Sequence, residues 1–532
     1  MTRIIEIYDT TLRDGTQAEN FNLSLEDKIK VCRELDSFGI DFIEGGWPGS
    51  NPLAVDFFER MQGISLRHAK LAAFGSTRHF QHRPEKDANL AALLAAKTQA
   101  ITIFGKSWDI HVTDALRIGL EDNLTIIEDS LAYLRPQVEH LFYDAEHFFD
   151  GFKANQDYCL ATLQRALAGG AETLILCDTN GGTLTHELAE IIRAVQQFFQ
   201  QKGQEVRLGV HAHNDAECGV ANSLMAIQLG GVQVQGTMNG YGERCGNANL
   251  TSIIPALELK MGLHCRAGSR LHQLYATTRL INELANLPHN RYQPYVGNSA
   301  FAHKGGVHVS AVQRNPITYE HIDPEKVGNE RRVLISDQSG RANVVLKAER
   351  YGLPLRSNDP LMASIISELK EMESQGYQYE AAEASFELLM RSALGLRRKF
   401  FNLSAFTVMN HKYSMDTEAF TEATIRLNVG GIEAHTAAMG DGPVNALDLA
   451  LRKALTQFYP NLADMELADY KVRVLTGQHG TGAKVRVLIE SRDSTSSWGT
   501  VGVSYNIIEA SWQALVDSIN YKLMKDEQSR ER

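Results

Sequence analysis

The chain has 532 residues, a length that predicts two or three hydrophobic cores rather than one. Its formal net charge of -11, with no run rich in Lys and Arg, argues against binding to nucleic acid or to anionic membranes. Six cysteines without a C-x-x-C pair are too sparse for a disulfide framework, and we see neither a signal sequence nor an apolar run of membrane-spanning length, so we expect a cytoplasmic protein.

Up to about residue 262, short β-like runs alternate with amphipathic helical stretches. In the helical stretches apolar residues recur every three or four residues, for example from Leu25 to Phe38 and from Cys218 to Leu229. The strand candidates are Ile4 to Tyr8, Phe42 to Gly45, Leu71 to Gly75, Ala100 to Phe104, His140 to Asp144, Thr173 to Cys177, Arg207 to His211 and Val232 to Gly236. Eight βα units in roughly 260 residues predict a (β/α)8 TIM barrel.

The alternative is an open, doubly wound sheet. Such a sheet usually carries a glycine-rich dinucleotide-binding turn after its first strand, whereas Asp14 and Gly15 stand there in this chain. We therefore favour the barrel, and we expect its chemistry at the carboxyl ends of the strands.

The chain changes character twice after the predicted barrel. Between residues 266 and 402 the periodicity weakens, and a longer helix is predicted from Pro360 to Ser374. The first part of this stretch is broken by four prolines: Pro288, Pro294, Pro316 and Pro324. We expect a catalytic barrel over residues 1–265, helical linker subdomains over 266–402 that contribute to the active site, and a C-terminal domain over 403–532.

Beyond Phe406, strand-like runs alternate with two helices, which predicts an α+β domain. The strand candidates are Thr424 to Val429, Lys471 to Leu475 and Lys484 to Glu490. Two units echo each other: a strand near residue 426 leads through Gly440 and Gly442 to a helix from Asn445 to Leu455, and a strand near residue 487 leads through Gly499 and Gly502 to a helix from Glu509 to Ile519. We therefore predict a duplicated module.

Two histidines, His211 and His213, stand two residues apart at the end of the seventh predicted strand. Alternate residues of a strand face the same side, so both rings can point into the barrel and bind one divalent ion. Asp14, at the end of the first predicted strand, can supply an oxygen ligand to the same ion, and we expect the two strands to be neighbours because a closed barrel returns strand eight to strand one. Two imidazoles and a carboxylate with open coordination positions form a site that can hold a bidentate substrate.

A less specific interpretation applies to each of these residues alone. A lone H-x-H on a strand is more often a hydrogen-bonded polar pair than a metal site, and charged residues such as Asp9, Arg13 and Asp14 are common in solvated loops. Their coincidence at the one face of a barrel where chemistry is expected favours a functional site.

Three motifs of the sequence resemble the signatures of one enzyme family. They are Asp9–Gln17 (DTTLRDGTQ), His211–Asp215 (HAHND) and Gly240–Asn247 (GYGERCGN). Together, in this order and spacing, they resemble the 2-isopropylmalate, homocitrate and citramalate synthases, which are metal-dependent enzymes built on a TIM barrel. The likeness extends over nearly the whole chain, because Gly440–Val444 (GDGPV) is similar to the amino-acid-sensing domain of these synthases.

The resemblance implies a divalent metal ion, either Mn, Mg, Zn or Co, with Asp14, His211, His213 and Asn247 as its ligands. It also implies acetyl-CoA as cosubstrate and a 2-oxo acid as the acceptor. A 2-oxo acid can offer a keto oxygen and a carboxylate oxygen to one ion, which polarises the carbonyl. By the same resemblance, Arg13 binds the substrate and places a positive charge beside the oxygen that becomes an alkoxide.

Four further residues match functional residues of the family. Glu146 matches the catalytic glutamate, and His308 matches a histidine that the linker region contributes; together they are expected to move the proton of the acetyl-CoA methyl group, with Tyr319 ordering water or substrate. Thr179 matches a threonine that contacts the substrate carboxylate, although its hydroxyl can equally cap the following helix. Ser310 stands where several relatives carry an acidic residue, so we expect another partner to orient His308.

The choice of oxo acid is the least determined part of the prediction. Two stretches, Glu44–Pro52 and Asn298–Gly306, resemble the citramalate branch more than the isopropylmalate branch. They imply condensation of acetyl-CoA with pyruvate and thioester hydrolysis, giving (R)-citramalate and CoA for isoleucine biosynthesis. A few side chains can switch such a preference, since one methylene is worth only about 1 to 3 kcal/mol of discrimination. The sequence does not name them.

Three alternatives stay open. The first is a 2-isopropylmalate synthase of leucine biosynthesis, which uses 3-methyl-2-oxobutanoate. The second is a homocitrate synthase, which is less expected. The third is a non-catalytic amino-acid sensor, against which the complete set of motif residues argues. For the C-terminal domain, the resemblance implies a homodimer with isoleucine as an inhibiting effector, and the alternative is a purely structural dimerisation domain.

Overall fold

The computed structural model of the chain describes residues 3–335, 341–415, 418–475 and 482–531. Its contacts divide the chain into two compact units. The first comprises Met1–Phe301 and His321–Arg331, and the second comprises Ala302–Glu320 and Arg332–Arg532. The three-part division at residues 265 and 402 stays a prediction.

The first unit contains a closed barrel of eight parallel strands in sequence order. The strands are β1 (Glu6–Asp9), β2 (Phe42–Gly46), β3 (Lys70–Ser76), β4 (Ala100–Lys106), β5 (His140–Glu146), β6 (Thr173–Asp178), β7 (Leu208–Ala212) and β8 (Gln233–Gly236). β8 closes the barrel against β1, with Glu6 opposite Gln233 and Asp9 opposite Gly236. The predicted (β/α)8 barrel is confirmed, and the open doubly wound sheet is wrong.

The predicted strand boundaries differ from the observed ones by a few residues. The largest difference at a strand start is in β1, which begins at Glu6 instead of Ile4, because Ile4 forms an isolated bridge with His264. The helices of this unit are α1 (Leu25–Phe38), α2 (Pro52–Met61), α3 (Ala88–Ala95), α4 (Leu120–Leu134), α5 (Phe148–Ala154), α6 (Gln156–Ala168), α7 (Thr185–Gln201), α8 (Gly219–Gln228), α9 (Leu250–Ala256) and α10 (Leu274–Leu284).

The helix α1 shows why the periodic pattern was informative. Its buried face repeats every three or four residues through Ile29, Cys32, Leu35 and Phe38. Ser24 caps the first turn by accepting a hydrogen bond from the Asp27 amide, and Gly39 ends the helix at φ +100°, which a side chain would strain. Each large buried side chain of this face contributes about 1.5 to 3 kcal/mol.

The interior of the barrel is layered by the alternation of side chains along its strands. The lower layer is apolar and buried and consists of Tyr8, Phe42, Ala72, Ala100 and Phe142. Towards the carboxyl ends of the strands follows a layer of buried polar side chains: Thr10, Glu44, Thr102, Asp144, His211 and Gln235. Buried polar groups require partners, so this second layer marks the place of the site.

The second unit begins with short strands and helices. They are β9 (Ala302–His303), α11 (Gly306–Arg314), β10 (Arg332–Val333), α12 (Arg341–Arg350), α13 (Leu361–Ser374) and α14 (Glu383–Ala393). The helix predicted from Pro360 is confirmed as α13, with Pro360 at its N-cap. Of the helices in the described part of the chain, none combines the length and the hydropathy that crossing a bilayer requires.

The rest of this unit is the predicted duplicated α+β module, since the same order of three strands and a helix occurs twice. The first copy is β11 (Asn402–His411), β12 (Phe420–Val429), β13 (Ile432–Gly440) and α15 (Pro443–Leu455), and the second is β14 (Glu466–Val474), β15 (Val485–Arg492), β16 (Ser497–Ser504) and α16 (Ile507–Glu531). Gly430 and Gly431 connect β12 to β13 as a two-residue turn at φ +59° and +90°.

The second copy of the duplicated module differs from its prediction in one respect. Gly499 and Gly502 do not form a turn before the second helix, because both lie inside β16. A Cβ atom on Gly502 would lie 2.0 Å from the carbonyl oxygen of Ala510, and one on Gly499 would lie 2.1 Å from that of Ala381. These glycines allow close backbone approach to the strand rather than a change of direction.

Candidate active site

Asp14, His211 and His213 lie together at the carboxyl end of the barrel. Nε2 of His211 is 3.4 Å from Oδ2 of Asp14, and Nε2 of His213 is 3.9 Å from the same oxygen. One potential ligand atom from each residue lies within 4.8 Å of the others, and all three residues are buried. The structure therefore brings together the two histidines and the carboxylate that the sequence singled out.

Two details of this cluster differ from expectation. Asp14 is not at the end of the first strand, because β1 ends at Asp9 and Asp14 lies in the following loop. That loop turns sharply at Thr10, whose carbonyl accepts hydrogen bonds from the amides of Arg13 and Gly15 at 3.1 and 3.0 Å. In addition, β7 and β1 are not neighbours, since β8 lies between them.

The intervening strand β8 orients His211 through Gln235. Nδ1 of His211 donates to Oε1 of Gln235 at 3.0 Å, and Nε2 of Gln235 donates to Oδ1 of Asp144 at 3.2 Å. This hydrogen bond places the proton of His211 on Nδ1 and leaves Nε2 directed at Asp14. Such an outer hydrogen bond is the usual support of a metal-binding histidine.

Asn247 reaches the cluster from the loop after β8. It forms an isolated antiparallel bridge with His213, and its Nδ2 donates to the carbonyl of Tyr241 at 3.2 Å. A Cβ atom on Gly242 would lie 2.2 Å from that Nδ2, so this glycine leaves room for the amide. Because Nδ2 is engaged, Oδ1 is the atom that Asn247 can offer to a ligand.

Two polar atoms of these residues test whether a metal ion fits. Oδ1 of Asp14 and Oδ1 of Asn247 are buried, and neither has a hydrogen-bond partner among the described residues. Buried polar atoms rarely stay unpaired, because each costs about 1 to 3 kcal/mol. A divalent ion would satisfy such atoms, and two imidazoles, a carboxylate and an amide oxygen suit several such ions.

Arg13 is held rigidly beside the cluster. Its Nε donates to Oε1 of Glu44 at 2.5 Å, its Nη1 lies 3.2 Å from Oδ2 of Asp14, and its Cζ lies 3.7 Å from the centre of the Phe74 ring. Glu44 is fully buried and also accepts hydrogen bonds of 2.6 Å from the hydroxyls of Tyr8 and Thr10. The guanidinium is thus fixed before any substrate arrives.

The charges of the cluster are set by burial and by these contacts. Burial alone would lower the pKa of Arg13, but Glu44 and Asp14 outweigh it and raise that pKa. Burial would raise the pKa of Asp14, yet Arg13 and His211 hold it well below its usual range. Burial and the neighbouring His211 lower the pKa of His213 to about 4, so its imidazole is neutral at pH 7, as a metal ligand must be.

A cavity of about 220 Å³ opens above the cluster. Its lining includes Arg13 and the cluster of Asp14, His211 and His213, together with Glu146 and Thr179. One wall is aromatic: Trp47 lies 6.0 Å from Phe74 and 5.5 Å from Phe104, and the rings of Phe74 and Phe104 stack at 5.4 Å. The cavity combines a charged floor with an apolar wall, which is typical of sites for small ligands.

Glu146 and Thr179 both lie at the carboxyl end of the barrel. Glu146 is the last residue of β5 and forms an ion pair with Lys106, while Thr179 follows β6 directly. Thr179 does not cap the next helix, because α7 has Leu184 at its N-cap. Instead its hydroxyl oxygen accepts a hydrogen bond of 2.8 Å from the amide of His147, so the hydroxyl proton can be donated to a ligand.

His308 and Tyr319 lie in the second unit. Their rings stack with centroids 4.2 Å apart and planes at 26°, and both residues are exposed. Tyr319 is therefore a contact that orients His308 where Ser310 cannot act as an acidic partner. That these two residues take part in catalysis stays a prediction.

Sequence reasoning missed several residues around the cluster. Glu44, Asp144 and Gln235 are buried polar residues inside otherwise apolar strands, and this contrast is the signal that could have identified them. Trp47, Phe74 and Phe104 carried no such signal, since aromatic residues at strand ends are more often ordinary core.

Family models cover most of the chain in three parts. The HMGL-like model matches residues 4–281, the homocitrate synthase post-HMGL domain-like model matches residues 295–377, and the LeuA allosteric (dimerisation) domain matches residues 380–523. This order is the one expected from the three sequence motifs and the C-terminal glycine motif.

Curated relatives match over nearly their full length. The (R)-citramalate synthase of Geobacter sulfurreducens is 57% identical over 525 residues, covering 99% of this chain and 98% of its own. That of Aquifex aeolicus is 52% identical over 528 residues, covering 99% of each chain. The 2-isopropylmalate synthase of Pyrococcus furiosus is 29% identical over 523 residues, covering 98% of this chain and 99% of its own. The chain therefore belongs to the (R)-citramalate synthase family, with a catalytic barrel of the HMGL-like type.

Proposed function

We propose that the protein condenses acetyl-CoA with pyruvate and hydrolyses the resulting thioester, giving (R)-citramalate and CoA. The observation that carries this proposal is the meeting of Asp14, His211 and His213 beside a fixed Arg13, below a cavity with one aromatic wall. The family supports it, because the relatives from Geobacter sulfurreducens and Aquifex aeolicus are named (R)-citramalate synthases.

Four residues would hold the metal ion: Asp14, His211, His213 and Asn247. The ion, when bound, supplies a Lewis acid for the keto and carboxylate oxygens of the 2-oxo acid. Mn, Mg, Zn and Co all accept this donor set. The remaining steps belong to the side chains around it.

Arg13 and Thr179 bind and polarise the oxo acid. Because Glu44 and Asp14 fix two nitrogens of Arg13, its positive charge is in place when the keto oxygen becomes an alkoxide. A preorganised donor of this kind contributes about 10²- to 10³-fold to a rate. The hydroxyl of Thr179 donates a hydrogen bond to the substrate carboxylate, while its oxygen accepts one from the amide of His147.

Glu146 removes the proton from the methyl group of acetyl-CoA. Its carboxylate lines the cavity at the end of β5 and forms an ion pair with Lys106, which holds it in position. The methyl carbon then bonds to the keto carbon, the alkoxide takes up a proton, and water cleaves the thioester to release CoA. We assign His308 and Tyr319, from the predicted linker of residues 266–402, to sharing the proton and ordering this water.

Pyruvate is favoured over larger oxo acids by the aromatic wall. Trp47, Phe74 and Phe104 line the cavity and contact one another, so we expect them to restrict the space for the substituent on the keto carbon. A methyl group fits beside such a wall, whereas an isopropyl group must displace a ring. These three side chains are the ones that the sequence alone could not name.

A thiol-release assay tests the proposal. The purified protein is supplied with acetyl-CoA and Mn or Mg, and with pyruvate, 3-methyl-2-oxobutanoate or 2-oxoglutarate, each with and without a chelator. We expect release with pyruvate that the chelator abolishes. A preference for the branched acid would make the protein a 2-isopropylmalate synthase with the same site, and no release with any acid would favour the sensor.

We further infer that residues 403–532 dimerise and bind isoleucine, which inhibits the enzyme as the end product of its pathway. The match of residues 380–523 to an allosteric (dimerisation) domain and the duplicated module support this. The test uses the full chain, because Phe386 and Leu389 of α14 share a core with Val501 and Val503 of β16, and a cut near Asn402 would open it.

Isoleucine is titrated into the assay and by calorimetry, with leucine as the matched control, and the mass in solution is measured by sedimentation. Saturable inhibition by isoleucine and a mass of two chains are expected. Inhibition by leucine alone would mean that leucine is the effector. If neither amino acid inhibits the enzyme, the C-terminal domain has a purely structural role.

A further inference from the structure

A second cavity of the first unit lies beyond the loop that carries Asn247. Its volume is about 260 Å³, and its lining includes Arg279, Arg291 and His289 together with several amide side chains and no Asp or Glu. The chain as a whole has a net charge of -11, whereas this cavity is lined by positively charged and amide side chains.

The two guanidiniums lack acidic partners among the described residues. Arg279 donates to the amide oxygen of Asn298 and lies 4.5 Å from the Tyr275 ring, while its buried Nε has no hydrogen-bond partner. Arg291 lies 5.7 Å from the Tyr292 ring. A buried guanidinium nitrogen without a partner is costly, so Nε of Arg279 indicates that an anion belongs in the cavity, where the exposed guanidinium of Arg291 can also reach it.

The floor of the cavity is already organised. Oδ1 of Asn282 accepts from the Tyr241 hydroxyl at 2.5 Å and from Nδ2 of Asn239 at 2.6 Å, and its Nδ2 donates to Nδ1 of His289 at 3.0 Å. Asn282 is thus fully hydrogen-bonded, and His289 is left with a proton on Nε2. Glu283 approaches that nitrogen at 3.7 Å from outside the lining.

This floor continues into the loop of the active site. Tyr241, which donates to Asn282, also presents its carbonyl to Nδ2 of Asn247. An anion that draws Arg279 and His289 together would therefore restrain Tyr241. This link to Asn247 rests on the proposed function, whereas binding in the cavity does not.

We propose that this cavity binds a phosphate-type oxyanion between Arg279 and Arg291. A dianion matches two guanidiniums, whose planar forks suit phosphate oxygens. The volume fits a phosphate group rather than a whole nucleotide. The source is either free inorganic phosphate or the phosphate of a cosubstrate such as CoA, and the stretch that begins at Asn298 thereby gains a role.

Calorimetric titration of inorganic phosphate into the full chain tests the site. One saturable site per chain is expected, weakened at least tenfold by Arg279→Gln and by Arg291→Gln, the latter at an exposed position that should not disturb folding. Arg279→Lys should bind with intermediate strength, and Arg33→Gln, on the exposed face of α1, should not change binding. No saturable binding, or binding by both glutamine variants that is as strong as that of the wild type, would overturn the proposal.

Two further readings identify the source and the coupling. If CoA competes with phosphate and Arg291→Gln raises KM for acetyl-CoA, the bound anion is the phosphate of the cosubstrate. If CoA does not compete, the bound anion is a free ion. Either result supports the site. Phosphate should also slow amide hydrogen exchange in residues 239–247. Unchanged hydrogen exchange in these residues would refute the link to Asn247. It would not affect the thiol-release assay, so a failure of this inference can be distinguished from a failure of the proposed function.

Discussion

At the scale of single residues, the position of Arg13 depends on Glu44. Glu44 accepts hydrogen bonds from Arg13, Tyr8 and Thr10 in a fully buried place. Glu44→Gln keeps the shape but removes the charge, so Arg13 turns towards Asp14. We expect kcat/KM in the thiol-release assay to fall about 10²- to 10³-fold, because a preorganised charge is displaced from the alkoxide.

The matched control is Glu59→Gln, at an exposed position of α2. It should leave both activity and thermal stability unchanged. If Glu44→Gln loses less than threefold in kcat/KM, Arg13 is not positioned by this carboxylate. If the variant loses activity only in proportion to folded protein, the role of Glu44 is structural.

A second prediction at this scale concerns Phe104. Phe104→Leu removes part of the aromatic wall against which Phe74 and Trp47 pack. The ratio of kcat/KM for 3-methyl-2-oxobutanoate to that for pyruvate should rise about 10- to 100-fold, since one or two methylenes are worth about 1 to 3 kcal/mol. Phe80→Leu, exposed and away from the cavity lining, is the control, and an unchanged ratio in Phe104→Leu would place the selectivity elsewhere.

The site was predictable from the sequence only in part. Both histidines and Asp14 could be named because chemistry at strand ends and a family resemblance agreed on them. The position of Asp14 in a loop and the bridge through Gln235 could not, because loop geometry and outer hydrogen bonds depend on the packed barrel. His308 and Tyr319 were named, but no periodic pattern indicates that their rings stack.

At the scale of elements, the contact between β16 and α16 depends on a glycine. A Cβ atom on Gly502 would lie 2.0 Å from the carbonyl oxygen of Ala510, so Gly502→Ala must push α16 away from its sheet. We expect the free energy of unfolding of the second unit to fall by about 1 to 3 kcal/mol, the usual cost of overpacking. Urea unfolding followed by Trp498 and Trp512 fluorescence measures it.

Gly442→Ala is the control for this variant. Gly442 is the N-cap of α15, and no atom lies within 4 Å of the Cβ position there. Its replacement should cost less, about 0.5 to 1 kcal/mol, because alanine is a poorer N-cap than glycine but meets no neighbouring atom there. Equal effects of the two variants would mean that the close approach at Gly502 is not what holds α16.

The same helix is fixed at its other end by a buried charge cluster. Asp493, in the turn between β15 and β16, accepts hydrogen bonds from Lys522 at 2.9 Å and Lys525 at 2.7 Å, and Lys522 also contacts Asp526 and Asp464. Although burial raises the pKa of Asp493, the two lysines hold it well below its usual range. The carboxylate therefore stays charged in the folded protein at pH values where the unfolded chain takes up a proton.

The sign of the resulting pH dependence follows from this shift. A depressed folded-state pKa gives stabilisation that is complete above the unfolded value of about 3.9 and is lost as the pH falls below it. The urea midpoint of the second unit should fall as the pH decreases below about 4, and less so in Asp493→Asn, which should be weaker at pH 7 by about 1 to 3 kcal/mol. Asp441→Asn, exposed in the same unit, should follow the wild type, and parallel curves for all three proteins would exclude Asp493 as the source.

Elements with a strong period were predictable and others were not. The barrel strands are buried on both faces and read as apolar runs, and α1 and α13 repeat at helical spacing. The strands β11 and β13 were missed because their side chains are largely exposed, so their alternation is weak. The strand β16 was taken for a turn because its glycines, which serve close packing, look like turn residues.

At the scale of the whole molecule, the hydrophobic cores separate by unit. One large cluster of buried side chains lies entirely in the first unit, and two others lie in the second. Each unit thus has the apolar burial that a cooperative transition requires. A ligand that binds one unit should stabilise the transition of that unit and leave the other in place.

This separation makes metal binding visible without any measurement of catalysis. Mn added at 100 times its dissociation constant should stabilise the unit that holds Asp14, His211 and His213 by about 2.7 kcal/mol, because the unfolded chain lacks the assembled site. In calorimetric scans with and without a chelator, we expect one transition to move up with Mn and the other to stay. His211→Ala should remove the shift and turnover together, while His186→Ala, at an exposed position of α7, should keep both. A Mn-dependent shift that survives in His211→Ala would place the metal on other ligands, and a shift of both transitions would mean that the units unfold as one.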